Sequence, residues 1–284
     1  MIVRNTLAAT DHLAFLGCGS MNEAILAGLL AAGLPKEAAT ATVRRHGRAE
    51  ELAGHYGITV LAADDTSDAN RRAVGDASLV IIGVRPVDVS ALATEIAPAL
   101  PHSAVVVSVA AAVTIGQLEH LLPPGQPVVR VLPNSPSRLG SGVIAVCGGT
   151  GASREQVDHV KGLLAALGLV VEVPEEHIDV VSAVSGSGPA YAFYLALAMA
   201  DAGTRLGLDR GLAADIARQT LVGAGRLLAE PGADPAALLG PFVGPDTTTG
   251  GAIDVFDERG LCAIIADAVR AAHERSEALA RRLG

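Results

Sequence analysis

The sequence predicts an α/β fold, a doubly wound parallel-stranded N-terminal domain followed by an all-α C-terminal domain. Three observations carry this. Short aliphatic runs alternate with helical segments up to about residue 172, the βαβ rhythm that builds a parallel sheet. The later runs, "SLVIIGV" at 78–84 and "AVVVSVA" at 104–110, are almost unbrokenly aliphatic, so both faces of the sheet must be covered. Beyond residue 172 no strand pattern remains, and helical periodicity continues almost to Gly284.

The first strand is "LAFL", residues 13–16, and it ends at "GCGSMN". A helix follows from about Met21 to Ala32, stopped by Gly33 and Pro35. Further strands are expected at 41–43, 58–60, 78–84, 104–110 and 127–132. A chain of 284 residues is long for one core, so two domains are expected, residues 1–174 and 175–284. In the second domain the helix starting near Pro189 is apolar all round and carries Tyr191, Phe193 and Tyr194. A helix apolar on every face needs burial on every face, and this domain is small for that. Burial against a second subunit is the simplest account, which makes a homodimer the expected assembly. The terminal segment, "CAIIADAVRAAHERSEALARRLG", is amphipathic and ends basic, as suits the negative end of a helix dipole.

Composition narrows the function. Half the residues are hydrophobic and 18% are charged, a balance that suits packed cores rather than disorder. The net charge of −9 offers no basic field to displace counterions from phosphates, so no nucleic-acid partner is expected. Cys18, Cys147 and Cys262 lie far apart in no disulfide or metal spacing, which points to a reducing cytoplasm. The eight histidines form no i, i+4 pair, and no metal site is expected. Ser141, Ser185 and Ser187 have no histidine and acid arranged for a hydrolase triad. The opening residues lack an apolar signal region, and the longest apolar stretch, "PAYAFYLALAMA", is too short to span a bilayer. A soluble chain with no membrane partner is expected.

The strongest local motif is Gly17-Cys18-Gly19-Ser20-Met21-Asn22, placed between a strand and a helix. Two glycines there let the backbone turn tightly and approach a pyrophosphate at the helix N-terminus, as in a Rossmann-like domain. Asn22 stands where the third glycine of the usual fingerprint would be, and a purely structural turn is the alternative. Arg44-Arg45 follow the second strand with no acid nearby. An arginine at this point suits the 2′-phosphate of NADPH, an acid the ribose of NADH; a solvated basic turn is the plainer reading. The nicotinamide is expected outside the carboxyl ends of the strands, where "GVRPVDV", "VAAAV" and "LPNSPSRLGSG" emerge. Asn134 and Ser135 could hold the nicotinamide or the substrate there, or simply form a turn before Pro136.

Taken in order, these segments resemble pyrroline-5-carboxylate reductase, from about Leu13 to Leu279. "FLGCGSM" looks like that family's cofactor turn and brings Leu16, Gly17, Cys18, Gly19, Ser20 and Met21 to the cofactor. "GVRPVDV" is similar to its valine–lysine–proline segment, adding Gly83, Val84, Arg85 and Pro86. "VSVAAAVTIGQL" and "RVLPNSP" resemble the next two cofactor segments, adding Val109, Ala110, Ala111 and Asn134. The most specific match is "AVSGSGPAYAFYLALAMADAG", the entry to a helical dimerisation domain, with Pro189 at the substrate. The resemblance implies NADPH-dependent reduction of a cyclic imino acid to proline. It also implies a homodimer with interlocked C-terminal helices, open to higher assemblies, whose active site lies between nucleotide and helical domains.

The family carries a Ser-Pro-Gly-Gly-Thr-Thr loop, which falls without gaps on Gly244 to Thr249 of "GPDTTTGG". By resemblance its N–H groups and hydroxyls hold the substrate carboxylate, with Phe242, Gly244, Thr247, Thr248 and Thr249 at the substrate. Thr249 then reaches the ring nitrogen as the catalytic residue. Successive N–H groups at a helix start do favour an anion, and a hydroxyl can donate and accept near an imine. Capping of the last helices is the alternative use of these threonines. Gly244, Asp246 and Thr247 depart from the family's serine and two glycines, and Phe242 from its small aliphatic residue. A paralogue acting on a different cyclic imine, or a non-catalytic nucleotide-binding relative, therefore stays as an alternative. A β-hydroxyacid dehydrogenase does not: its lysine would fall on Ala192, and the only lysines are Lys36 and Lys161.

Overall fold

The computed structural model describes residues 11–244 and 247–283, so Pro245 and Asp246 lie outside the described residues. The chain divides into two compact units, residues 1–186 with 273–284, and residues 187–272. The sequence places the break at 174/175.

The first unit is built on an eight-stranded sheet in the order β3-β2-β1-β4-β5-β6-β7-β8. Its strands are β1 (Leu13–Leu16), β2 (Ala39–Val43), β3 (Thr59–Ala62), β4 (Leu79–Ile82), β5 (Val105–Ser108), β6 (Val128–Pro133), β7 (Gly142–Gly148) and β8 (Gly168–Glu172). The helices between them are α1 (Ser20–Ala31), α2 (His46–Tyr56), α3 (Ala69–Val74), α4 (Val89–Ile96), α5 (Ile115–Leu121) and α6 (Arg154–Leu164). Helix α7 (Glu175–Val181) follows β8. The side chains of β1 show why the sheet needs cover on both faces. Leu13 and Phe15 enter one core with Ile25, Leu29 and Leu52, while Ala14 and Leu16 enter the other with Val89, Ile96 and Leu118. This is the period-two alternation of a strand buried on both sides.

Two strands and one direction were not read from the sequence. β7 and β8 extend the sheet, and β7 runs antiparallel to β6 while the remaining pairs are parallel. The link from β6 to β7 is a short 3-10 turn, Ser135–Leu139, and too short a link to carry a crossover returns the chain antiparallel. The local signals were present, "VIAV" at 143–146 and "LVV" at 169–171, each short and aliphatic. Capping follows the sequence closely: Thr114 with Gln117, and Ser153 with Gln156, form capping boxes at α5 and α6.

Among the described residues one non-glycine has a positive φ, Ala112 at 64°, buried just past the Val109–Ala111 segment. A left-handed alanine costs about 1–2 kcal/mol, more than the entropy a glycine loses on folding. Ala112→Gly is therefore expected to stabilise the fold by about 0.5–1 kcal/mol, seen as a raised melting temperature. An unchanged or lower melting temperature contradicts the strain.

The second unit holds α8 (Gly188–Arg205), α9 (Arg210–Leu228), α10 (Pro235–Leu239) and α11 (Thr248–Glu258); α12 (Leu261–Leu283) starts here and passes into the first unit at His273. No residue of α8 is buried, although Phe193, Tyr194 and Leu197 are 65%, 76% and 70% exposed. A soluble single chain rarely leaves so apolar a surface uncovered. The apolar stretch read as too short for a bilayer is part of a longer helical run, Glu175–Arg205. By length and composition that run is enough to cross a membrane, because α7, a π-turn at Ser182–Gly186 and α8 follow directly along the chain.

Candidate functional site

The order in which strands join the sheet switches side between β1 and β4, which run parallel, and a cleft of about 630 Å³ opens at the carboxyl ends of these strands. The expected residues Gly17, Cys18, Gly19, Gly83, Val84 and Arg85 line it. Gly17 turns the chain with φ +66°, and a Cβ there would overlap the Val84 side chain. Gly19 has ordinary φ and open space around it, so nothing in the fold itself calls for its missing side chain. Asn22, the break in the fingerprint, proves to be a tie. It is wholly buried, and its Nδ2 donates to the carbonyls of Leu16 and Ile81 at 3.0 and 3.2 Å, fastening α1 to β1 and β4. Gly83 makes the room, since a Cβ there would collide with the Asn22 amide.

The turn's own N–H groups are partly spent. Gly17 N–H goes to Thr42 Oγ1, Cys18 N–H to the Thr42 carbonyl and Gly19 N–H to the Gly17 carbonyl. The donors left over are those of Ser20 and Met21, at the start of α1, because the N-cap Gly19 has no side chain to satisfy them. The same holds at α2, where Arg45 is the N-cap without a side-chain hydrogen bond. Arg44, Arg45 and Arg48 all line the cleft. Arg44 and Arg45 are exposed with no side-chain partner among the described residues, whereas Arg48 is ion-paired to Glu23 and Glu51. Cations at a helix N-terminus oppose the macrodipole, a cost that a bound anion offsets. Asp65 takes His46, accepting from Nδ1 at 2.7 Å and raising the imidazole above its ordinary value.

Other expected cofactor residues sit at the neighbouring strand ends. Leu16 closes β1, Pro86 opens a 3-10 turn, and Val109 and Ala110 are buried after β5 while Ala111 is exposed. Asn134 is buried with its amide largely committed: Nδ2 donates to the Ser185 carbonyl at 2.8 Å, and Oδ1 accepts from Val143 N–H at 2.9 Å. It fastens β6 to β7 and to the π-turn, leaving one N–H for any ligand. Arg85 is paired with Asp88 at 2.8 Å. Burial, then the charge of Glu23, pushes the Cys18 thiol up to about 12, so it stays neutral and is no nucleophile. Thr42, Asn70 and Arg48 were missed from the sequence, because sheet register and helical spacing bring them to the cleft.

In the second unit the three threonines separate in role. Thr247 is the N-cap of α11, its Oγ1 accepting from Gly250 N–H at 2.9 Å. That hydroxyl also lies 2.9 and 3.0 Å from the carbonyls of Phe242 and Gly244, and Thr247 N–H donates to the Gly244 carbonyl. In this structure Thr247 is engaged within the loop. Its hydroxyl caps α11 and its N–H closes the loop, which is the capping use of this threonine. Gly250 is required for the same reason, since a Cβ there would strike the Gly244 carbonyl. Thr248 and Thr249 are exposed at the first two positions of α11, where N–H groups have no intrahelical acceptor. Phe242 is 57% exposed beside them in sequence, and Pro189 is the second residue of α8. The Asp246 departure lies outside the described residues.

Known proteins resemble this chain over most of its length. Residues 175–279 match the family model described as pyrroline-5-carboxylate reductase dimerisation, and residues 12–112 one described as NADP oxidoreductase coenzyme F420-dependent. Pyrroline-5-carboxylate reductase of Pseudomonas aeruginosa is 36% identical over 277 residues, 97% of this chain and 99% of that protein. The Mycobacterium tuberculosis protein of the same name is 37% identical, covering 94% of this chain and 96% of the other. Among solved structures, a pyrroline-5-carboxylate reductase from Coxiella burnetii superposes with TM-score 0.87 at 28% identity, covering 95% of this chain and 98% of that one.

Proposed function

Since the chain belongs to the pyrroline-5-carboxylate reductase family, we propose that it reduces 1-pyrroline-5-carboxylate to L-proline with NADPH. The observation that carries the reading is the pair of uncapped helix N-termini, α1 and α2, opening with Arg44 and Arg45 on one cleft at the switch point. The first suits the pyrophosphate and the second, with its arginines, the 2′-phosphate. When bound, NADPH supplies the hydride that adds to the imine carbon.

The rest of the work falls to this chain's residues. The N–H groups of Thr248 and Thr249, at the positive end of α11, hold the substrate carboxylate. The Thr249 hydroxyl reaches the ring nitrogen, which is protonated for attack and becomes an amine. Thr247 takes no part directly; it fixes the first turn from which Thr248 and Thr249 project. Phe242 narrows the ring's surroundings, and that wall favours the small five-membered ring. Residues 175–279 form a dimerisation domain and the working assembly is a homodimer. Interlocking of the helices would cover Phe193, Tyr194 and Leu197, and we place the enzyme in the cytoplasm.

The test is NADPH oxidation against a panel of cyclic imino acids. The expected result is turnover highest with pyrroline-5-carboxylate and lower with its six-membered homologue. Preference for the larger ring makes the chain a reductase of a different imine, and no turnover with any makes it a nucleotide-binding relative.

A further inference from the structure

A row of polar side chains leads away from the glycine turn, starting at Thr42 and Asn70 on the cleft wall. Gly17 N–H donates to Thr42 Oγ1 at 3.1 Å, and Thr42 Oγ1 donates to Asn70 Oδ1 at 2.7 Å. Asn70 Nδ2 then donates to both carboxylate oxygens of Glu95, at 3.2 and 3.1 Å. The direction of every bond is fixed by chemistry. A backbone N–H can only donate, so the hydroxyl must accept it and give its own proton onward; a carboxylate can only accept, so the amide must turn its NH₂ toward Glu95. Thr42 is only 2% exposed and its carbonyl also takes Cys18 N–H at 2.7 Å, so both ends of this one residue grip the turn.

We propose that Thr42 is a positioning residue for the Gly17–Gly19 turn, held in register by Asn70 and Glu95, and that it sets dinucleotide affinity without touching the reacting atoms. The inference rests on the reading of the turn as the dinucleotide site. Glu95 on α4 and Asn70 on α3 belong to the opposite face of the sheet from α1 and α2, so the row ties that layer to the loop that opens α1. Loss of the hydroxyl leaves the Gly17 N–H without an acceptor beside the cleft, and lets the Asn70 amide rotate.

Thr42→Val keeps the shape and removes the hydroxyl, and Thr42→Ser keeps the hydroxyl. In the full-length enzyme Thr42→Val is expected to raise the NADPH Kd, read by nicotinamide fluorescence, and the NADPH KM by about five- to thirty-fold. The loss falls more on the NADPH KM than on kcat, while Thr42→Ser binds like the parent. Parent-like NADPH affinity in Thr42→Val overturns the proposal, as does a loss that Thr42→Ser fails to restore or a fall confined to kcat. Should Thr42→Val not fold, Glu95→Ala at the far end of the row decides: weakened NADPH binding supports the coupling and parent affinity overturns it. A parent enzyme that does not bind NADPH would instead overturn the dinucleotide reading on which the proposal stands.

Discussion

Thr249→Val is expected to lower kcat with pyrroline-5-carboxylate by about ten- to a thousand-fold while NADPH affinity is unchanged. The substitution keeps the shape of an exposed residue in the first turn of α11 and removes only its hydroxyl. Thr247, not Thr249, caps the helix, so the fold has no need of the lost group. Hydride addition changes the charge and hydrogen bonding of the ring nitrogen, and a fixed polar partner there is most useful as the transition state forms. The matched control is Thr247→Val. It removes the cap, costs about 1 kcal/mol of stability and loosens the turn. Steady-state kinetics with melting curves separate the two. Parent-like turnover in Thr249→Val would move the catalytic role elsewhere.

Replacing Arg44 and Arg45 together by alanine is expected to weaken NADPH binding by about 1–3 kcal/mol and to leave NADH nearly unaffected. Both side chains are exposed without partners among the described residues, so their removal breaks no internal ion pair. Arg48 stays tied to Glu23 and Glu51 and keeps part of the positive field, which sets the upper limit of the loss. Equal losses for both coenzymes in a fluorescence titration would assign the pair to the fold rather than to the phosphate.

The sequence made the glycine turn legible because its mechanism is local: a strand, two glycines and a helix suffice to place Gly17 and Gly19. Arg44 and Arg45 were legible for the same reason, as the first residues past β2. Asn22 looked like a defect in the fingerprint, and only the packing of α1 across β1 and β4 shows it fastening them. Thr42, Asn70 and Glu95 were illegible because the parallel register, Phe15 opposite Ala41, decides which β2 side chain meets the turn. β7 and β8 were less legible because β7 returns directly from β6 as a short antiparallel strand and interrupts the strand–helix alternation. Among the three consecutive threonines only the family resemblance singles out Thr249, and local sequence leaves capping open for all three. The helix start at Thr248 gives Thr247 to the cap and leaves Thr248 and Thr249 exposed.

The central claim is transfer of a hydride from NADPH to an imine carbon held by this chain. Incubation with pyrroline-5-carboxylate and NADPH carrying deuterium at both hydrogens of nicotinamide C4 tests it most directly, with mass spectrometry of the product. The expected product is proline one mass unit heavier, labelled at the former imine carbon, and formed in step with coenzyme oxidation. Unlabelled proline, or coenzyme oxidised with no proline formed, would contradict it.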